Sequence, residues 1–258
     1  MAGWPRIAGA RAMLDRIIDD TARPRFQALV RGLAAPALAR MGEGGGDEPA
    51  RTRSRRAVLF ELVGTIGRDD SVLARARALH TAAIADAAAV DPELTTAAIN
   101  VIAERGGADD FALFVQRMDD AATPQEELRY LYALARFTDE ATFQEALDLT
   151  LGDMRTQNAP FLIARGLMNR TMGPKAWAFV SQRWDEINDR FPTSMIVRLL
   201  EGVKVLIEPA VAADVEAFFA EHDVPQGRKQ LQQQLERLHV NVALREREGA
   251  ALATSLES

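Results

Sequence analysis

The sequence of 258 residues contains no cysteine and only three histidines, His80, His222 and His239. Without cysteine the protein can form neither disulfides nor thiolate metal sites, which fits a reducing compartment. No histidine is followed by glutamate, so the sequence lacks the H-E-x-x-H motif, in which two imidazoles one helical turn apart bind zinc and the glutamate acts as general base. A zinc peptidase site of that kind cannot be built from this sequence.

Long apolar runs and excess positive charge are also missing. No apolar stretch reaches the roughly 20 residues that cross a bilayer. The charged side chains of Arg6, Arg11, Asp15 and Arg16 interrupt the N-terminal segment where a signal peptide is apolar. The net charge of −6 argues against nucleic acid as the main partner, because phosphate binding needs a concentrated basic surface. We therefore expect a cytoplasmic protein that binds neither membranes nor nucleic acid.

Aromatic residues make up only 6% of the sequence, whereas alanine and leucine are abundant. Hydrophobic residues account for 48%, which is ordinary for a globular protein with a sizeable core. Apolar residues recur at helical spacing along the chain, and no segment alternates strictly as a strand would. The sequence predicts an all-α fold.

Six prolines stand where helices are expected to begin. Proline suits the first helical position because its missing N–H would be unpaired there in any case. The clearest start is T-P-Q-E at residues 123–126, where Thr123 can cap the helix and Glu126 can complete a capping box. The prolines are Pro92, Pro124, Pro174, Pro192, Pro209 and Pro225.

The expected helix starts near Asp91, Thr123 and Arg155 recur at intervals of about 32 residues, a spacing typical of helix-pair repeats. The last segment, from Gln226 to about Gly249, has no breaker and carries an apolar stripe at Leu231, Leu235, Leu238 and Val242. The predicted architecture is an α-solenoid of antiparallel helix pairs, similar to HEAT or armadillo repeats, closed by a long C-terminal helix.

The N-terminal part is expected to differ from the rest. Residues 1–41 are predicted to form two helices broken near residues 21–24, and the glycine-rich residues 42–49 read as a flexible loop. Helices resume near Thr52, and the run of Asp69, Asp70 and Ser71 is expected to cap another helix. This predicts N-terminal helices and a linker at residues 1–50 and a solenoid domain at residues 51–258, or one continuous domain over residues 1–258.

Other candidate sites have simpler explanations. The glycines at residues 42–46 are not followed by the Lys-Ser/Thr of a phosphate-binding loop. The arginines at positions 51, 53, 55 and 56 could attract nucleic acid or an acidic partner, but a solvated helix start is favoured in an acidic chain. Glu236 and His239 form one E-x-x-H pair, whereas a di-iron site needs two, so His239 is expected to pack or hydrogen-bond locally.

Between residue 123 and about residue 244, several short patterns follow one another in a fixed order. They are T-P-Q-E-E-L-R at 123–129, L-A-R-F at 134–137, R-T-Q-N at 155–158, Asn169 and Gly173, A-W-A-F at 176–179, W-D-E-I at 184–187, R-F-P at 190–192, and V-E-A-F-F-A-E-H at 215–222, followed by Arg228, Gln232, Leu235, Glu236 and Asn241. Together they resemble the C-terminal helical domain of zinc aminopeptidases of the aminopeptidase N and puromycin-sensitive family, the endoplasmic-reticulum-aminopeptidase-like C-terminal domain. The aromatic residues among them are expected to fill the core between helices.

The resemblance implies a non-catalytic domain whose parent enzyme carries the zinc in a separate catalytic domain, in cis or as another chain. The family's G-A-M-E-N-type segment, which grips the substrate amine, is missing, as is its zinc motif. The domain would enclose the substrate chamber and restrict or bind peptides. In such a domain an arginine on the concave face can hold a peptide's C-terminal carboxylate, and Arg165, Arg170 and Arg198 lie in the matching helices. No metal or other cofactor is expected in this chain.

A second hypothesis has a different character. The chain could be a free-standing helical-repeat scaffold that binds a protein or peptide on its concave face, with no role in proteolysis. If a sequence with H-E-x-x-H accompanies this chain, the enzyme-domain hypothesis is favoured. If no such sequence accompanies it, the scaffold hypothesis is favoured.

Overall fold

A computed structural model of the chain describes residues 13–44 and 48–257, and every regular element in these two ranges is helical. Residues 13–17 are helical. The α-helices that follow are α1 (Arg23–Met41), α2 (Ala50–Gly64), α3 (Asp70–Ala85), α4 (Pro92–Arg105), α5 (Ala108–Asp119), α6 (Pro124–Leu134), α7 (Glu140–Leu151), α8 (Ala159–Leu167), α9 (Gly173–Gln182), α10 (Trp184–Arg190), α11 (Thr193–Leu199), α12 (Pro209–Glu221) and α13 (Arg228–Ser255). Two 3₁₀ helices, η1 (Leu200–Val205) and η2 (Pro225–Gly227), lie within this series. The all-α prediction is confirmed.

The chain divides into two units. Unit 1 takes the residues up to Gly106 and those from Gly249 onward, and unit 2 comprises Gly107–Glu248. In unit 1, α2 packs against α1, α3 and α4, and α4 buries eight of its fourteen residues. In unit 2, α8 packs against α6, α7, α9, α11 and η1 and is the central helix. The repeat architecture and the predicted division at residue 50 stay predictions.

The proline signals predict the helix starts well. Pro92, Pro124 and Pro209 occupy the first position of their helices, and Pro174 occupies the second position of α9. Pro192 is the N-cap residue of α11, while Pro225 opens a 3₁₀ helix rather than an α-helix. The signal is reliable because it depends only on the local backbone, which proline restricts.

The helix expected near Arg155 begins four residues later, at Ala159, because residues 156–158 form a turn. Of the two N-terminal helices, the second is α1, and helices resume at Ala50 as expected near Thr52. The first N-terminal helix falls mainly on residues 1–12, which lie outside the described residues. The cap predicted at residues 69–71 is confirmed, and Asp69 is the capping residue of α3, since its carboxylate accepts hydrogen bonds from the backbone N–H groups of Ser71 and Val72.

The cap of α6 differs in one bond from the predicted capping box. Thr123 Oγ1 accepts a hydrogen bond from the backbone N–H of Glu126 at 3.2 Å, as expected. The Glu126 carboxylate, however, accepts from the backbone N–H of Ala122 at 3.1 Å and pairs with Arg117 at 2.6 Å. Arg117 lies on α5, so a tertiary ion pair redirects the carboxylate that the sequence assigned to its own helix start.

The prediction of a solvated basic segment is wrong for Arg56, whose residue is only 3% exposed. Its guanidinium donates to the backbone carbonyls of Met41 and Gly42 at 3.2 and 3.1 Å, and it pairs with Glu48 at 2.7 Å. Carbonyls at a helix C-terminus have no partner within the helix. Arg56 therefore caps the end of α1 from a neighbouring helix, and this contact buries it.

The long C-terminal helix is confirmed as α13, which begins at Arg228. Leu231 and Leu238 of the predicted stripe are buried, and Leu235 and Val242 pack against the same core partly buried. No helix in the two described ranges is both long enough and apolar enough to traverse a membrane.

Candidate functional site

Helix α8 buries seven of its nine residues, including Leu162, Ile163 and Leu167. A helix that is apolar nearly all round is stable only inside a protein, which explains its central place in unit 2. Its two exposed side chains are Phe161, which is 37% exposed, and Arg165. They lie one helical turn apart and form a narrow exposed edge on an otherwise buried helix.

Arg165 is the first of the three arginines for which the sequence predicts peptide contacts. Its guanidinium carbon lies 4.0 Å from the centroid of the Tyr132 ring, which belongs to α6 and is half-buried. At this distance the cation is attracted by the negative face of the ring. The stacking restricts the long arginine side chain and holds the charge at the exposed edge of α8.

Arg170 lies in the loop between α8 and α9 and is half-buried. The neighbouring Asn169 organises this loop through four hydrogen bonds of 3.0 Å each. Its Nδ2 donates to the carbonyls of Ala135 and Phe137, and its Oδ1 accepts from the N–H groups of Thr171 and Met172. Asn169 thereby joins the end of α6 to the start of α9 and sets the position of Arg170.

Arg198 lies on α11 and is exposed, and its Nη1 donates to the Glu201 carboxylate at 2.9 Å. Helix α11 packs against α8. The three arginines thus lie on α8, on the loop that follows it, and on a helix in contact with it. The structure places them on one group of packed elements, but it gives each a different neighbour.

Four aromatic side chains of unit 2 form a cluster. Trp177 and Trp184 are 2% and 7% exposed, and each has its ring centroid within 5.3–5.7 Å of both Phe218 and Phe219. Most of these pairs are edge-to-face, a favourable arrangement for aromatic rings. The predicted aromatic core is confirmed.

The polar atom of this core also has a partner. Trp177 Nε1 donates to Asp214 Oδ2 at 2.6 Å, which satisfies the indole N–H that burial would otherwise leave unpaired. At the edge of the cluster, the His222 ring stacks on Phe218 with a centroid distance of 3.9 Å, and its Nδ1 lies 2.8 Å from the Phe218 carbonyl.

The histidines do not fit a zinc site. His239 Nε2 lies 2.6 Å from Glu216 Oε1, which belongs to α12, so the hydrogen bond expected within its own segment is made to another helix instead. Zinc needs three or four protein ligands around one point. Within residues 13–44 and 48–257, no three His, Asp or Glu side chains come together in this way.

Three shifted pKa values have structural causes. The Ser71 hydroxyl and nearby backbone N–H groups lower the pKa of Asp69, and the backbone N–H of Thr142 lowers the pKa of Asp139. Both carboxylates are helix N-caps. Burial raises the pKa of the Tyr130 phenol, which accepts a hydrogen bond from Arg117. These shifts reflect capping and packing.

Sequence reasoning missed the partners that position these groups. Tyr132 and Asp214 carry no signal of their own, because each lies more than 30 residues from the side chain that it contacts. The burial of Trp177 does require an acceptor for its N–H, but this rule does not say which acceptor. Asn169 is one of the residues on which the family resemblance depends. Its place in a loop agrees with the tendency of asparagine side chains to hydrogen-bond the backbone of a turn.

Comparisons with known proteins cover most of the chain. The family model described as ERAP1-like C-terminal domain matches residues 3–240. Aminopeptidase M1 of Arabidopsis thaliana is 26% identical over 162 residues, which is 58% of this chain and 18% of that protein. Aminopeptidase M1-B of Oryza sativa subsp. japonica is 29% identical over 125 residues, 47% of this chain and 14% of that protein. The chain therefore matches only a small part of the length of these relatives.

Proposed function

The chain belongs to the family of ERAP1-like C-terminal domains, and from this premise we propose that it is the non-catalytic C-terminal domain of an aminopeptidase N-like zinc metallopeptidase. The observation that carries the proposal is the family match over residues 3–240, which takes in most of both units. The parent enzyme removes N-terminal residues from peptides, and the zinc that activates its water is held by a catalytic domain. That domain is the partner of this chain, in cis or as a separate polypeptide.

In this proposal the helical domain encloses the substrate chamber and restricts or binds peptides. The complete lack of H-E-x-x-H in the 258 residues supports the assignment of hydrolysis to the partner. The lack of cysteine supports a cytoplasmic location.

The proposal is tested by purifying the tagged chain from its source organism. Mass spectrometry then identifies the whole polypeptide that contains it and any polypeptide that co-purifies with it. We expect a region with H-E-x-x-H, in the same polypeptide or in a second one, and hydrolysis of an aminoacyl fluorogenic substrate that a chelator abolishes. Residues 1–258 expressed alone with added zinc should show no turnover. Chelator-sensitive turnover that follows residues 1–258 through purification would contradict the proposal, and a preparation without H-E-x-x-H would favour the free-standing scaffold.

We also propose that Arg165, Arg170 and Arg198 contact the C-terminal carboxylate of bound peptides. A guanidinium forms paired, charge-assisted hydrogen bonds with a carboxylate, and amidation of the peptide removes that partner. The stacking of Arg165 on Tyr132 supports this role, because it presents the charge in a restricted position at an exposed edge.

The peptide contact predicts that the chain prefers a peptide with a free C-terminus over its amide. Substitution of a contacting arginine by alanine should reduce this preference about tenfold, the equivalent of one charge-assisted hydrogen bond. Fluorescence anisotropy with a labelled peptide pair measures the two affinities for Arg165→Ala, Arg170→Ala and Arg198→Ala. Arg183→Ala is the matched control, because Arg183 is an exposed arginine of unit 2 paired with Glu186. If all four variants prefer the free C-terminus over the amide to the same extent, the proposed contact with the carboxylate is contradicted.

A further inference from the structure

The C-terminal end of α13 belongs to unit 1, although the helix begins in unit 2. The stripe from Leu231 to Val242 packs on the core of unit 2, and the residues from Gly249 onward belong to unit 1. None of the residues between these two parts is buried. We call residues 249–257 the strap. The family match ends at residue 240, so the packing of the strap is a feature of this chain that the match does not cover.

One face of the strap is covered and the other is open to water. Gly249, Leu252, Ala253 and Leu256 are half-buried, whereas the residues between them are exposed. The spacing i, i+3, i+4, i+7 puts the half-buried residues on one side of a helix, as in a helix that lies on a protein surface. The strap therefore docks on unit 1 through a single apolar face.

The strap docks on the residues that precede and begin α1. A Cβ added to Gly249 would lie 3.1 Å from the carbonyl oxygen of Ile17, so the two backbones approach each other closely. Near the other end of the strap, the Glu257 carboxylate pairs with Arg25 Nη1 at 2.9 Å. These two contacts place the strap along residues 17–25.

The glycine at position 249 marks this contact in the sequence. Glycine forms helices more poorly than any residue except proline, because its backbone loses more freedom when it is ordered. At position 249 it removes the side chain that the Ile17 carbonyl would meet. Gly249 thus weakens the free helix and permits the docked one, which favours a strap that is ordered mainly while it is docked.

The contacts of the strap are weaker than those of the rest of α13. The buried residues of this helix are Leu231 and Leu238, and both precede the strap. The side chains of Arg25 and Glu257 are 55% and 61% exposed, and an ion pair so exposed contributes little in water. Segments with few buried contacts open locally while the rest of the protein stays folded.

The segment beneath the strap has supports of its own. Arg23 Nη1 and Nη2 donate to the backbone carbonyls of Asp15 and Ile18 at 3.0 and 2.9 Å, and Nη1 pairs with the Asp15 carboxylate at 2.6 Å. These bonds join the chain before α1 to the first residue of that helix. The segment therefore keeps its fold when the strap is released.

We propose that the strap is a separable conformational device, which docks on residues 17–25 and opens without unfolding the rest of unit 1. Opening uncovers the backbone at Ile17 and releases the Arg25 guanidinium, and closing covers the first and pairs the second. The strap thus controls access to the beginning of α1. This inference does not depend on the proposed function, because its contacts are the same in an enzyme domain and in a free-standing scaffold.

The test measures docking with a crosslink in the full chain. In an Arg25→Lys background, a carbodiimide joins the lysine amine to the Glu257 carboxylate where the two are in contact, and mass spectrometry quantifies the link. Glu257→Gln removes the carboxylate and supplies the blank. The same chains are then unfolded in denaturant and followed by circular dichroism.

Gly249→Leu separates docking from helix formation. Leucine is a good helix former, so this substitution strengthens the strap helix while its Cβ and further carbons crowd the Ile17 backbone. The yield of the 25–257 link should fall about tenfold, the effect of moderate overpacking. Ala250→Leu is the matched control: Ala250 is exposed on the other face, so the yield should stay unchanged. Neither variant should move the denaturant midpoint.

Two results would overturn the proposal. Equal link yields in the two leucine variants would show that the strap does not dock through Gly249. A large fall of the denaturant midpoint in Gly249→Leu, or a failure of that variant to fold, would show that the strap is part of the core rather than separable. Deletion of residues 249–258 checks the second point independently, since a chain that ends at Glu248 should still fold and keep the midpoint.

Discussion

Asn169→Ala is expected to lower the free energy of unfolding by about 3 kcal/mol, since four hydrogen bonds contribute about 1 kcal/mol each and the site is partly exposed. The Asn169 amide donates to the carbonyls of Ala135 and Phe137 and accepts from the N–H groups of Thr171 and Met172, all at 3.0 Å. Denaturant unfolding followed by circular dichroism measures the change.

Asn169→Asp separates the two halves of this network. The carboxylate can still accept from Thr171 and Met172, but it faces two carbonyl oxygens and has nothing to donate. At neutral pH the variant should be at least as unstable as Asn169→Ala. A protonated carboxyl can donate to one carbonyl, so the folded protein raises the pKa of the introduced group. The stability deficit should therefore shrink as the pH falls toward about 4, the pKa of an unperturbed aspartate.

Asn188→Ala is the control for both variants. Asn188 Nδ2 donates to the Trp184 carbonyl at 2.9 Å, but this bond lies within one helix and the residue is exposed. Its loss should change the free energy of unfolding by less than about 0.5 kcal/mol. Equal effects of the alanine substitutions at 169 and 188 would show that the loop network does not stabilise unit 2.

Gly202→Ala is expected to destabilise unit 2 by about 3 kcal/mol, the upper part of the range for overpacked cores. Gly202 lies in η1, where a Cβ would come within 2.5 Å of the Leu167 Cβ and 2.7 Å of the Ala164 carbonyl oxygen. Both neighbours belong to α8, the central helix of the unit, and a helix carbonyl cannot move without its helix. The substitution must therefore separate η1 from α8.

Gly107→Ala provides the matched control. Gly107 also lies in unit 2, has nothing within 4 Å of an added Cβ, and has an extended backbone with φ of −122°. Alanine adopts this conformation freely, and its poorer fit as the N-cap residue of α5 should limit the loss in the free energy of unfolding to about 1 kcal/mol. Equal and small effects at 107 and 202 would mean that α8 and η1 do not approach as closely as described.

Several elements of the fold could be predicted from the sequence. Pro124 with Thr123, and Asp69 with the residues that follow it, begin helices as expected. The stripe of Leu231 and Leu238 gave the buried face of α13. In each case the interacting groups lie within a few residues of one another, so the local sequence contains both partners.

The candidate site was less accessible to prediction. The resemblance suggested Arg165, but not that Tyr132 on another helix would hold its guanidinium. The basic run suggested a solvated segment, yet Arg56 is buried by the carbonyls at the end of α1. Composition cannot distinguish such a structural arginine from a surface one, because the acceptors belong to a different part of the chain.

By itself, the sequence determined an all-helical chain, most of its helix starts and the absence of an H-E-x-x-H motif in its 258 residues. These follow from residue types and from interactions over about one helical turn. Only the tertiary structure decided that Asn169 joins two loops and that Gly202 touches α8. Such features depend on which helices pack together, and packing is set by the shape and apolar area of whole faces rather than by any local pattern.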